Sequence, residues 1–186
     1  QGGTFTINTG RSTDTFRNYL HTLPVNAPLL MYNGSAAYEN GQLTQLKPID
    51  LDPWETLHTM RKLFPDLNLE VQGPKVHHLI DPQPEFIALY ERQNWRYAIA
   101  TDGEPLEPFI KFALFGTPRQ PVVGDLFDVT PEEETMFRNA EETIKALYEG
   151  KVSVFRAAPR IIDVHAIGVS KNAAARTLQA RLGKKL

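Results

Sequence analysis

The sequence predicts an α/β protein: part of a parallel-sheet core, interrupted by a mixed α+β insertion. Three observations carry this. Thr4–Asn8, a helix-spaced segment behind Ser12 and the apolar run Leu29–Tyr32 read in order as strand, helix and strand. Strand and helix patterns then fill residues 47–160. Behind them Ser170 opens a last helix that returns the chain to the first unit. The expected division is 1–46 for the first part of the core, 47–160 for the insertion and 161–186 for the rest of the core.

Each element has a local reason. Thr4-Phe5-Thr6-Ile7 alternates as a strand does, and Thr9-Gly10-Arg11 turns the chain. Ser12 caps a helix with Phe16, Tyr19, Leu20 and Leu23 on one face. Leu29–Tyr32 is continuously apolar, as in a strand buried on both faces, and Asn33-Gly34 ends it. Glu39-Asn40-Gly41 joins two short strands as a hairpin, because Asn-Gly tolerates positive φ. Asp52, Pro53 and Glu55 mark the next helix start as cap, first helical residue and capping-box partner. Strands are expected at 67–71, 76–80, 97–100 and 109–115, with a helix over 82–92 and a loop over 117–129. Thr130-Pro131-Glu132-Glu133 repeats the cap logic ahead of a helix with Met136, Phe137, Ala140, Ile144 and Leu147 on one stripe, stopped at Gly150. Strands 152–155 and 161–165 pair, and the final helix turns Ala173, Ala174, Leu178 and Leu182 inward before Gly183.

Composition narrows the function classes. Of 186 residues, 41% are hydrophobic and 23% charged, which suits an ordinary globular chain and excludes disordered, collagen-like and coiled-coil classes. The absence of cysteine removes disulfides, thiolate zinc sites and cysteine nucleophiles, and fits a reducing, cytoplasmic location. Twenty basic against 22 acidic residues leave a net charge of −2, so no global field recruits nucleic acid or an anionic membrane. No run approaches the ~18 apolar residues that cross a bilayer, and no signal-peptide pattern is visible.

Two places can carry chemistry. Thr9-Gly10-Arg11-Ser12 puts a hydroxyl and a glycine between a strand end and a helix start, where ligands bind in open α/β sheets. Free N–H groups there suit phosphate; a tight turn with a cap would use the same residues. Lys171 falls in the first turn of the last helix, where the helix dipole disfavours a cation unless an anion faces it; a solvated lysine is the alternative. If the two places meet at one sheet edge, they form a cradle for a single tetrahedral anion.

The order of these segments resembles the haloacid dehalogenase-like phosphatases, in their Cof-type branch with an α+β cap. "TINTGRS" is similar to the family's second motif, "LLMYNGSAAYENGQL" to a core strand with its Asn-Gly turn and hairpin, and "VSVFRAAPRIIDVHAIGVSKNAAARTLQARLG" to the return from the cap into the third motif. The resemblance implies a Rossmann-like core with an inserted cap, and magnesium-dependent hydrolysis of a small phosphorylated metabolite through an aspartyl-phosphate. It implies catalytic roles for Thr9 and Lys171 in holding the transferring phosphoryl group. It also implies phosphate-binding roles for Gly10, Arg11, Asn33 and Asn172. The family's Asp-x-Asp-Gly-Thr motif does not precede Thr9 here, and its acidic magnesium loop does not follow the Lys171 helix. The expectation is therefore an incomplete chain, inactive alone and prone to self-association. Asp50-Leu51-Asp52 and Asp125-Leu126-Phe127-Asp128 imitate those motifs in the wrong context and order. The alternative is a non-catalytic binding module that keeps only the anion cradle.

The remaining candidates have bland readings. His77 and His78 are adjacent, so a strand points them to opposite faces, and neither they nor His21, His58 and His165 show metal-ligand spacing. No serine occupies a nucleophile elbow. Arg176, Arg181, Lys184 and Lys185 make the last helix basic, as a solvated face does. Trp54, Trp95 and Tyr97 read as packing residues or as walls of a substrate pocket.

Overall fold

The computed structural model describes residues 3–20 and 22–183. His21, Lys184 and Lys185 lie outside the described residues. The architecture is mixed α/β, built on two sheets.

The smaller sheet is β1 (Leu29–Met31), β2 (Ala36–Glu39) and β3 (Gln42–Thr44), antiparallel in that order. Its hairpin turns at Asn40-Gly41, both at positive φ, as the Asn-Gly signal requires. The segment before Thr9 runs parallel to β1. Ile7 O accepts from Leu30 N at 2.8 Å and Thr9 N donates to Leu30 O at 2.9 Å. Pairing there is a single bridge between Asn8 and Leu30 rather than a full strand over 4–8. Ser12 caps α1 (Thr13–Phe16), and its side chain accepts from Thr15 N. The helix then tightens into a 3-10 turn at Arg17–Tyr19. β1 is buried on both faces, as its unbroken apolar run predicts. Leu29 and Met31 pack with Phe16 and Ile110, while Leu30 packs with Ala174 and Leu178.

The larger sheet has six strands in the order β6-β5-β4-β7-β9-β8. Its members are β4 (Asn68–Gln72), β5 (His77–Ile80), β6 (Tyr97–Ile99), β7 (Lys111–Phe115), β8 (Val152–Ala158) and β9 (Ile161–Ala166). Only β5 and β6 pair in parallel, and α3 (Pro84–Gln93) connects them. Asp52 caps α2 (Pro53–Leu63), accepting from Glu55 N at 2.8 Å. Thr130 and Glu133 form a reciprocal capping box on α4 (Pro131–Leu147). These two helices cover one face of the sheet over Leu57, Met60, Val71, Phe112, Phe137 and Ile162. Against expectation, Met136 points outward at 37% exposure, because the stripe runs through Phe137, Ala140 and Ile144 one residue on. Tyr148, not Gly150, caps α4, and Gly150 follows in the turn to β8 at φ +72°.

Residues 161–166 form β9 inside the larger sheet, paired antiparallel with both β7 and β8. The chain returns only at α5 (Lys171–Leu182), which Ser170 caps and Gly183 ends. α3 covers one end of the larger sheet's second face. The other end faces the smaller sheet, and the functional groups collect between them.

Candidate functional site

A cavity of about 840 Å³ opens between the two sheets. Three turns build one side of it: residues 9–11, residues 32–35 and residues 170–172. Asn8 Nδ2 donates to Lys171 O at 2.7 Å and so ties the first turn to the start of α5. Asn33 N donates to Thr9 O at 2.9 Å, joining the first turn to the second. The second turn is held in an unusual conformation, with Tyr32, Asn33 and Gly34 all at positive φ. Gly34 is required by close approach. A Cβ there would lie 2.5 Å from Ala174 Cβ and 2.9 Å from Ser170 O.

Of the residues singled out in the sequence, Gly10, Arg11, Asn33, Lys171 and Asn172 border this one cavity. Thr9 lies just behind, and its hydroxyl accepts from Arg11 N at 3.2 Å. The Arg11 guanidinium stands over the Tyr19 ring, 5.3 Å from its centroid. Among the described residues, no carboxylate lies within ion-pair distance of Arg11 or Lys171. The helix-dipole contribution comes from α5 with its 12 residues. α1 has four and adds little, although the sequence reading gave that place to the helix behind Ser12.

Asn33 is engaged elsewhere than expected. Its Nδ2 donates to Asp163 Oδ2 at 2.9 Å and lies 3.1 Å from His165 Nε2. Asp163 Oδ2 also pairs with Lys111 Nζ at 2.9 Å, and Lys111 donates to Gly10 O at 3.2 Å. His165 Nδ1 contacts Ser35 Oγ at 2.8 Å. Lys111, Asp163 and His165 are all buried. Burial, and then the nearby Lys111 cation, push the His165 imidazole down to about 3. It is therefore neutral, with Nδ1–H donating to Ser35 and Nε2 accepting from Asn33.

A second buried group lies on the same face of the larger sheet. His77 Nε2 meets Ser12 Oγ at 2.7 Å, and His77 Nδ1 meets the Tyr90 hydroxyl at 2.8 Å. Glu70 Oε2 is 3.5 Å from His77 Nδ1, and Gln72 Nε2 donates to Glu70 Oε1. Glu70, Gln72, His77, Lys111 and Asp163 all border the cavity, yet sequence reasoning singled out none of them as site residues. The available signal was a polar residue at alternate positions of an otherwise apolar strand: 70 and 72, 163 and 165. That pattern also describes a strand with one solvated face.

The two decoys resolve structurally. Asp52 is a helix cap. Asp125 pairs with Arg160 at 3.1 Å and accepts from Arg119 N. His77 is buried and His78 only partly so, as alternation on a strand requires.

Comparison with known proteins adds the family. The model for the haloacid dehalogenase-like hydrolases matches residues 1–186. A haloacid dehalogenase-like hydrolase from Bacteroides thetaiotaomicron superposes with a TM-score of 0.72 at 15% identity, over 97% of this chain and 64% of its own. A phosphatase of the haloalkanoate superfamily from the same organism gives 0.66 at 15% identity, over 98% and 60%. A subclass IIB sugar phosphatase gives 0.63 at 14% identity, over 100% and 65%. The chain thus spans 60–65% of the length of these structures. A comparison with curated proteins finds no match. With a match along its whole length and the shared mixed α/β fold, the chain belongs to the haloacid dehalogenase-like hydrolases.

Proposed function

We propose that this chain supplies the phosphoryl-holding and cap portions of a phosphatase that acts on a small phosphorylated metabolite. The observation that carries the reading is the meeting of Gly10 and Arg11 with Ser170, Lys171 and Asn172 on one cavity, across about 160 residues of sequence. Arg11 and Lys171 bring countercharge, and the start of α5 presents backbone N–H groups to an anion. Thr9 orients the turn through its bond to Arg11 N. Asn33 positions the floor beneath Gly10. In this reading the smaller sheet with α1 and α5 is core, and the larger sheet with its helices is the cap that selects the substrate. The description of one structural relative as a sugar phosphatase supports a small organic monoester.

The family resemblance implies magnesium. The residues described here do not fit such a site. No group of three or more His, Asp or Glu side chains among them is placed to hold a metal ion, and Asp163 is already committed to Lys111. The role of these residues is to bind and orient the phosphoryl group.

Titration calorimetry of the chain with inorganic phosphate tests the reading. Lys171→Met removes one charge-assisted contact of ~1.5–3 kcal/mol, so affinity falls by roughly ten- to a hundredfold. Unchanged affinity in this variant would overturn the assignment.

A further inference from the structure

The backbone of residues 9–11 is bonded almost throughout. Thr9 N donates to Leu30 O at 2.9 Å, Thr9 O accepts from Asn33 N at 2.9 Å and Arg11 O accepts from Tyr32 N at 3.1 Å. Arg11 N turns back on Thr9 Oγ1, and Gly10 O accepts from Lys111 Nζ at 3.2 Å. Of the backbone groups in this turn, Gly10 N–H alone has no protein acceptor among the described residues, and Gly10 borders the cavity. That N–H is the donor left for an anion.

Among the partners of the turn, Lys111 is the one from the larger sheet, where it begins β7. The glycine it holds is one that packing requires, because a Cβ on Gly10 would lie 2.7 Å from Asn33 Oδ1. Without a Cβ, the Gly10–Arg11 peptide plane can rotate more freely than at another residue. A half-turn of that plane takes Gly10 O off Lys111 and Arg11 N off Thr9 Oγ1, and it frees an oxygen where an anion needs donors. Lys111 is itself fixed. It is buried, and Asp163 Oδ2, 2.9 Å from Nζ, also accepts from Asn33 Nδ2 at 2.9 Å. One carboxylate oxygen therefore seats both the lysine and the asparagine against the turn.

We propose that Lys111 is the positioning residue of the cradle: from the larger sheet, it locks the Gly10–Arg11 peptide so that Gly10 N–H and the Arg11 side chain meet one phosphoryl group. This role rests on the phosphoryl-binding reading of Gly10, Arg11 and Lys171 and adds to it a group outside both anion-binding turns. Lys111 acts through Gly10 and not as a countercharge, because Asp163 already matches its charge.

The double variant Lys111→Met, Asp163→Asn removes the clamp and the buried charge together and leaves an amide oxygen for Asn33. Circular dichroism checks its fold, and Lys111→Met, Asp163→Leu takes its place if it does not fold. Amide-resolved NMR and calorimetry compare the variant with the wild type, with and without inorganic phosphate. Without phosphate, the Gly10 and Arg11 signals are expected to move or broaden while those of Lys171 and Asn172 stay in place. With phosphate, affinity is expected to fall roughly tenfold, and Lys171 and Asn172 still respond. A wild type whose signals ignore phosphate overturns the phosphoryl-binding reading, and the proposal with it. A wild type that binds phosphate, beside a variant of equal affinity, overturns the proposal alone. So do Gly10 and Arg11 signals that stay in place in the phosphate-free variant, since a lysine that touched the anion directly would leave them there.

Discussion

Lowering the pH from about 7 to about 5 should protonate the unfolded chain at His165 but leave the folded chain untouched. In the folded protein burial and Lys111 hold this imidazole down to about 3, whereas the unfolded ring titrates near 6.5. Between those values the unfolded state binds one more proton than the folded state, so stability falls as the pH falls. The stabilisation is complete above about 6.5 and is lost progressively towards about 3. Each pH unit inside the window is worth ~1.4 kcal/mol, so the step from 7 to 5 costs ~2 kcal/mol from this one side chain. Urea unfolding of the wild type and of His165→Gln at both pH values isolates it, because the carboxylates common to both proteins cancel in the comparison. The variant loses its bond to Ser35 and is less stable at both values. Its drop between them should nevertheless be smaller than the wild-type drop by ~2 kcal/mol. Equal drops would refute the reasoning.

Other perturbations follow from the same geometry. Lys111→Met strands Asp163 as a buried unpaired charge and should cost ~3–5 kcal/mol in urea unfolding, much of it recovered in the double variant Lys111→Met, Asp163→Leu. Gly34→Ala drives a Cβ to 2.5 Å from Ala174 Cβ at φ +98°, so it should lose about 1–3 kcal/mol and weaken phosphate binding as α5 is displaced. Thr130→Ala breaks the capping box of α4 far from the cavity, costing ~1 kcal/mol in unfolding with phosphate affinity unchanged.

The parts legible in the sequence are those with local causes. Ser12, Asp52, Thr130 and Ser170 cap helices because each carries its own acceptor oxygen to the next turn, and the Asn40-Gly41 hairpin needs only its own backbone preferences. The expectation that residues 9–11 and the start of α5 share one edge comes from the order of segments, and Gly10, Arg11, Lys171 and Asn172 border one cavity. The buried polar face was not legible. Lys111 reaches Gly10 across 101 residues and Asn33 reaches Asp163 across 130, so no window of sequence contains both partners. On a strand, polar residues that face a cavity alternate with apolar ones in the same way as polar residues that face water. The placement of β9 follows the same rule, because pairing with β7 depends on a strand some fifty residues earlier.

The most direct test is an amide-resolved NMR titration of the chain with inorganic phosphate. If the turn after Asn8 and the start of α5 cup one anion, the amide signals of Gly10, Arg11, Lys171 and Asn172 move together and fit one dissociation constant. Movement at Lys171 and Asn172 with Gly10 and Arg11 unmoved, or two separate constants for the two segments, contradicts the account.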